Sequence, residues 1–298
     1  MNHLYLCVTP ERDRKTRLIM QALEAGSRSY PYPNLKPMLL DGSPAKDLNP
    51  FVVWGQEWLS LRTIPEAMEQ SRPFFHVDNG FVAPAKGGPT GYYRITYRQM
   101  WPHLLERPDA SRTNIVRMQP WRAAGTGRHV LLALPGMTFG RAMGIDVPRW
   151  TATIHKKLRN ASKRPIIVRP KQSERALADD LDGAWCVVTH SSNVAVDAVV
   201  AGVPVFVTST SPCAPVGRCD LEIEKPVRPD REHWLASLMC QQFTLDEMRS
   251  GLALYWMARV AAQVDGTPEP KEFAHGKTPT YDRAKILQIA AQARAAQR

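Results

Sequence analysis

Apolar and polar positions follow two periods along this chain, and residues 185–208, WCVVTHSSNVAVDAVVAGVPVFVT, show both in succession. Trp185 to Val188 is a short apolar run, Thr189 to Asn193 is small and polar, Val194 to Ala201 has an Asp-containing helical pattern, and Gly202 leads into a second apolar run, Val203 to Val207. This predicts strand, loop, helix, strand. β-Branched residues favour the strands, Ser192 or Asn193 can cap the helix, and Gly202 can end it in the left-handed conformation before Pro204. Strands joined through a helix lie parallel, so the polar turn falls at the carboxyl edge of a sheet, where open α/β sheets bind ligands. Free amides and the helix dipole at that point suit a phosphate.

The same alternation organises the rest of the chain as an α/β protein. His3 to Thr9 reads as a strand followed by an amphipathic helix ending near Gly26, and residues 29–50 read as irregular surface structure around a short LKPMLL segment. Phe51 to Gly55 and Phe74 to Asn79 are strands, with a helix around Trp58 to Gln70 between them. Gln119 to Arg128, QPWRAAGTGR, is the best linker, and it is followed by the fresh strand His129 to Pro135 and a Gly-rich loop, LPGMTFGRAMG. A basic helix at Trp150 to Asn160, a strand at Arg164 to Pro170 and a loop with a short helix at Lys171 to Asp180 lead into the 185–208 unit. Thr244, three residues before Glu247, predicts a capping box that opens a helix running to Gln263. The expected domains are therefore 1–125, 126–280 and a terminal helix at 281–298.

Several residues carry candidate chemistry. Asp78 ends a packed apolar strand, a position for a general base, although DNG is also a common turn. His76 lies two residues back on the same face. In Gly80 to Pro102, glycines, aromatics and arginines interleave, so Tyr93, Arg94 and Arg98 are substrate-contact candidates, while YYRITY also reads as a plain strand. Gly136, Arg169 and His190 mark three strand ends that would converge on one anionic ligand, with Lys171 beside them and Gly140 and Arg141 as substrate contacts. Ser191, Ser192 and Asn193 offer donors for a diphosphate, and Asp197 can accept from ribose hydroxyls or simply stabilise the start of its helix.

Composition changes this picture in two places. The net charge is +11, and Arg141 to Arg175 holds ten Lys or Arg residues against only Asp146 and Glu174, which makes that section a candidate polyanion surface. Cys7, Cys186, Cys213, Cys219 and Cys240 are odd in number and widely spread, so neither a disulfide framework nor a zinc site is expected. No apolar run approaches a membrane span and the first residues lack a secretory pattern, which predicts a cytoplasmic protein with no membrane partner.

THSSNVAVDAVVAGVPVFV resembles the nucleotide-binding unit of two-domain glycosyltransferases, the GT-B architecture of two Rossmann-like domains facing across a cleft. The resemblance implies that His190, Ser191, Ser192 and Asn193 hold the diphosphate of a sugar nucleotide and that Asp197 holds its ribose, with Asp standing where Glu is more usual. VDNGF, GYYRITY and FTLDEMRSG look more narrowly like bacteriophage-type enzymes that glycosylate hydroxymethylated pyrimidines in DNA. That closer resemblance implies an inverting, metal-independent monomer in the host cytoplasm. It would move sugar from a UDP-sugar, with UDP-glucose the expected donor, to double-stranded DNA, with Asp78 as the base. Three alternatives stay open: the same architecture acting on a cell-envelope or capsule glycan, a sugar-nucleotide epimerase, and a noncatalytic nucleic-acid-binding protein.

Overall fold

A computed structural model of the chain describes residues 3–8, 14–30, 35–39, 47–55, 58–85, 90–142 and 144–270. These residues form two compact units, one made of those up to Ile115 together with those from Leu235 onward, the other of Val116–Trp234. The helix expected over residues 281–298 lies outside the described residues.

In the first unit the chain runs through β1 (Leu4–Val8), α1 (Arg14–Gly26), β2 (Leu35–Leu39), β3 (Phe51–Trp54), α2 (Trp58–Glu69), β4 (Phe74–Asn79) and β5 (Tyr93–Tyr97). The second unit contributes β6 (His129–Ala133), α3 (Met137–Ala142), α4 (Val147–Ala161), β7 (Ile166–Arg169), α5 (Leu177–Leu181), β8 (Ala184–Thr189), α6 (Val194–Val200) and β9 (Val205–Phe206). Within α7 (Glu232–Met239) the chain passes back to the first unit, where β10 (Gln242–Phe243), α8 (Leu245–Arg249) and α9 (Leu252–Asp265) follow.

The first sheet has the order β10-β5-β4-β3-β1-β2, parallel from β4 to β2 and antiparallel where β5 and β10 join. Its central strands β3 and β4 are buried along most of their length, β3 as an unbroken apolar run and β4 with His76 among its apolar residues. Pro37 is tolerated because β2 is the edge strand. The YYRITY segment resolves as a strand: Tyr93–Tyr97 pairs with β4.

Two expectations are corrected here. The helix predicted from Thr244 to Gln263 is two helices, because Gly251 takes a left-handed φ of 87° between α8 and α9. That corner presses on the end of α1: a Cβ on Gly26 would lie 2.0 Å from Met248 O, and one on Gly251 would lie 2.9 Å from Gly26 O. Only two glycines allow the backbones to come this close. The Gly-rich loop after β6 is in part helical, since it contains α3.

The capping box is present as expected, with Glu247 N–H donating to Thr244 Oγ1 (3.2 Å) and Thr244 N–H to Glu247 Oε2 (2.8 Å). Glu247 also joins a buried cluster about Arg112, whose side chain is 1% exposed. The Arg112 guanidinium donates to Met239 O (2.7 Å), Gln242 O (2.7 Å) and Glu247 Oε1 (3.2 Å), and lies 5.2 Å from the Phe243 ring centre. One side chain thus fastens the returning segment to the 3₁₀ turn Ala110–Ile115. Breaking a buried pair by removing one partner costs about 3–5 kcal/mol. Replacing Arg112 with Leu should therefore lower the unfolding free energy by about that amount in urea denaturation; a loss within experimental error would contradict this role.

Candidate functional site

The second sheet has the order β7-β6-β8-β9 with every neighbour parallel. Its register sets Ala133 of β6 beside Arg169 of β7 and Thr189 of β8. The three strand ends that the sequence aligned therefore do end together on one carboxyl edge. The turn after β8 follows the predicted order. Val194 N–H donates to Ser192 Oγ (3.3 Å), so Ser192 rather than Asn193 provides the side-chain cap, and Gly202 follows the helix with φ 79°. Gly202 also lets the segment before β6 close in, because a Cβ there would lie 2.0 Å from Pro120 O.

His190 sits at the centre of the edge. Its Nδ1 lies 3.1 Å from Ser191 Oγ and 3.5 Å from Thr208 Oγ1, and its ring is edge-on to Phe139 of α3 and Trp150 of α4, with centroids 6.0 and 6.1 Å away. Thr208 N–H and Oγ1–H both donate to His190 O, at 3.0 and 2.8 Å, holding the two segments together past the ends of β8 and β9. Burial lowers the His190 pKa, which favours the neutral imidazole. A cavity of about 630 Å³ opens beside it, with Trp150, Ile154, Val188, Phe206 and Leu221 as apolar wall and Lys157, Thr208 and Asp220 among its polar lining. That volume is in the range of small-molecule sites.

Sequence reasoning missed Phe139, Trp150, Thr189 and Thr208. Thr189 Oγ1 is buried with no hydrogen-bond partner among the described residues. Such a hydroxyl carries an unmet demand for a partner. The available signal was its position, as the polar last residue of an apolar strand in the predicted anion-binding unit.

The remaining candidates on this unit divide. Lys171 is exposed, and a Cβ on Gly136 would lie 3.7 Å from Lys171 Cγ, so these two do adjoin. Arg169 is withdrawn from anion binding, because its guanidinium bonds Asp180, Ser173 Oγ (3.3 Å) and Arg175 O (3.1 Å). Asp180, 2% exposed, also takes Arg175 at 3.2 Å. Gly140 faces inward, where a Cβ would lie 2.4 Å from Val147 Cγ2, so it serves the packing of α3 on the start of α4. The side chain of Arg141 lies outside the described residues. Asp197 is exposed in the first turn of α6, close enough to Cys213 to help raise that buried thiol, whose shift comes mainly from desolvation.

In the first unit, Asp78 and Arg94 face each other across β4 and β5 and form an ion pair of 2.8 Å, with side chains 17% and 12% exposed. The other Asp78 oxygen accepts from Asn79 N–H (2.7 Å), and Arg94 lies 5.2 Å from the Phe81 ring centre. His76 is fully buried, with its Nε2 2.9 Å from Gly55 O, and desolvation pushes its pKa down to about 4. It is a core residue and presents nothing to a substrate. Tyr93 is likewise 0% exposed, packed edge-on against Trp54 at 5.6 Å. Its apolar neighbours on the central strands enclose it, so it has no exposed face for the substrate contact considered for it. Arg98, at φ 56°, donates to Asp265 Oδ1 (2.9 Å) and Ser71 O (3.0 Å) and acts as a tie between elements.

Among the described residues no group of three or more His, Cys, Asp or Glu could hold a metal ion, and no helix is long and apolar enough to cross a membrane. No protein-family profile matches the sequence, and no curated protein matches it. Solved structures show partial likeness. The β-Kdo 2,4-transferase of Thermosulfurimonas dismutans KpsC is 14% identical with a TM-score of 0.47, covering 79% of this chain and 90% of that one. The β-Kdo 2,7-transferase of the same protein has the same identity and score, with 85% and 99% covered. A proposed UDP-N-acetylglucosamine 2-epimerase from Listeria monocytogenes is 11% identical with a TM-score of 0.28, with 90% and 98% covered. At these values the likeness identifies neither a family nor an activity.

The burial of His76 has a consequence for stability. Its pKa is depressed in the folded state from an ordinary value near 6.5 to about 4, so the unfolded chain binds the proton first as pH falls. Stability present above pH 6.5 is lost on the way to pH 4, with a slope approaching about 1.4 kcal/mol per pH unit from this one group. Urea unfolding between pH 7 and 4.5 should show the loss, and His76→Gln should flatten it; an unchanged pH dependence in that variant would remove His76 as the cause.

Proposed function

We propose that this chain is a sugar-nucleotide-dependent glycosyltransferase built on the two-domain GT-B plan, with the second unit binding the donor and the first supplying the base. The observation that carries the reading is the parallel register of Ala133, Arg169 and Thr189, which brings three strand ends and the polar turn after β8 to one edge beside a cavity of about 630 Å³. Ser191, Ser192 and Asn193 would hold the diphosphate with His190, and Asp197 would accept from the ribose hydroxyls. Gly136 and Lys171 complete the anionic site, with Lys171 placing positive charge near the departing diphosphate. Arg169 has no part in it, being held by Asp180.

Asp78 is the general base of this proposal. A carboxylate has about four lone-pair sites; Arg94 and Asn79 occupy some of them and fix the group, leaving capacity for an acceptor hydroxyl. Asp78 takes the hydroxyl proton as the acceptor oxygen bonds the sugar's anomeric carbon, and the bond from that carbon to the diphosphate oxygen breaks with inversion. UDP-glucose is the first donor to test, without added metal.

For the acceptor, a hydroxyl on a glycan is the better-supported reading. The narrower expectation, a flipped hydroxymethylpyrimidine of DNA, needs aromatic faces to stack on. Tyr92, Tyr93 and Tyr97 are at most 2% exposed. An epimerase is separated by its product, a free nucleotide sugar of altered stereochemistry.

Two variants test the roles. Asp78→Asn keeps the size of the side chain but gives up the charge and one of its two acceptor oxygens, and it should cut transfer by about 10² to 10⁴ with donor affinity unchanged; full activity would remove Asp78 as the base. Asp197→Ala should weaken calorimetric UDP-glucose affinity by about tenfold or more, the loss expected for hydrogen bonds to a charged group. Unchanged affinity would sink the ribose assignment.

A further inference from the structure

Most arginines of the second unit are internal clamps. Arg164 pairs with Glu224 (3.1 Å), Arg169 and Arg175 with Asp180, and Arg218 with Asp220 (2.6 Å) and Glu222 (3.0 Å). Arg122 bonds Leu181 O (3.1 Å), Arg228 bonds Arg122 O (2.9 Å), and Arg231 bonds Val199 O while lying 3.9 Å from the Trp121 ring centre.

The cations of α4 are different. Arg149, Lys156, Lys157, Arg159 and, just past the helix, Lys163 are exposed, and their side chains have neither an ion pair nor a hydrogen bond among the described residues. No acidic side chain lies in α4; Asp146, immediately before it, is occupied as the N-cap acceptor from Arg149 N–H at 2.9 Å. The buried side of the helix holds Leu158, with Trp150 and Ile154 packed alongside, which fixes the charged side outward.

The outward residues describe a line. Arg149 and Lys156 are seven residues apart, roughly 10 Å along the helix axis and nearly on one face. Lys163, exposed two residues past the helix end, adds a further cation there, and Arg159 flanks the line. Exposed Thr153 and Asn160 lie between these cations and offer hydrogen-bonding groups. The exposed residues of α4 include no large apolar side chain, so the face has nothing to insert into a bilayer. Its charge pitch is also sparse against duplex DNA, which carries one charge for about every 1.7 Å of axis. A chain of sugar rings with one acid per repeating unit presents its charges at wider intervals.

We propose that the outer face of α4 is a docking stripe for an acidic polysaccharide, with Arg149, Lys156, Arg159 and Lys163 pairing with its carboxylates and Thr153 and Asn160 with its hydroxyls. It rests on the reading of the acceptor as a glycan and narrows that class to acidic chains.

The probe is fluorescein-labelled oligogalacturonate, followed by anisotropy with the full chain at low salt. Binding should weaken steeply with salt and fall by about tenfold in Lys156→Gln/Lys163→Gln, two exposed pairs being removed. Arg149→Gln/Arg159→Gln should act likewise, and the thermal midpoints should match the parent because none of the four side chains is packed. Absence of binding, equal binding by parent and variants, or tighter binding to a short DNA duplex or to phosphatidylglycerol vesicles at equal charge concentration would overturn the proposal. UDP-glucose calorimetry on the same variants keeps the two readings apart. Failed donor binding with intact oligogalacturonate binding would strike the enzyme reading alone, and the converse would strike the stripe alone.

Discussion

A parallel strand cannot be entered through a tight turn, and the second unit depends on that constraint. Each of β6, β7 and β8 must be followed by a crossover before the next strand begins, so every polar strand end in the sheet is delivered to one edge. His190 is held there by backbone and side chain at once: Thr208 fastens its carbonyl, while Phe139 and Trp150 confine its ring. Three crossovers thus build a small polar corner on an apolar sheet. The chemistry proposed for this chain needs that corner more than it needs any one of its residues.

The two units use charge in opposite ways. In the first, charged side chains close gaps in an otherwise apolar interior. Arg112 joins three segments, and Asp265 takes both Tyr97 Oη–H at 2.6 Å and Arg98 Nε–H at 2.9 Å. A guanidinium suits this task because its donors form a rigid fork. In the second unit the same residue type ties loops to carbonyls, and several of the cations without such a tie lie on one exposed helix, α4. A net charge of +11 therefore says little by itself, since much of the positive charge is already bound within the fold.

Strands and helices with a clean period were legible in the sequence. The 185–208 unit, β3, β4, β6 and α4 stand where their patterns put them, and the capping box at Thr244 and Glu247 is formed. What the pattern could not reveal was where side chains from distant segments meet. Tyr93 and His76 look available on a line of text, but the central position of β4, and β5 with β10 beyond it, encloses them. Arg169 looks free until the fold brings Asp180, eleven residues later, against it. Apolar residues such as Phe243 and Leu245 suit the core of either unit, so periodicity does not say to which one the chain returns. Conversely, the edge position of Ser191 to Asn193 was readable, because it follows from connectivity alone.

The return of the chain through α7 has a temporal meaning. The second unit is continuous in sequence, whereas the first is split around it. On the ribosome, Arg112 therefore emerges 135 residues ahead of its partner Glu247, and β5 emerges before the β10 strand that covers its outer edge. A contiguous unit can complete itself as it is synthesised, but a divided one must wait. For this protein the polar corner around His190 can be assembled first, and the unit that carries Asp78 is completed only when residues far downstream arrive to finish its sheet and neutralise its buried arginine.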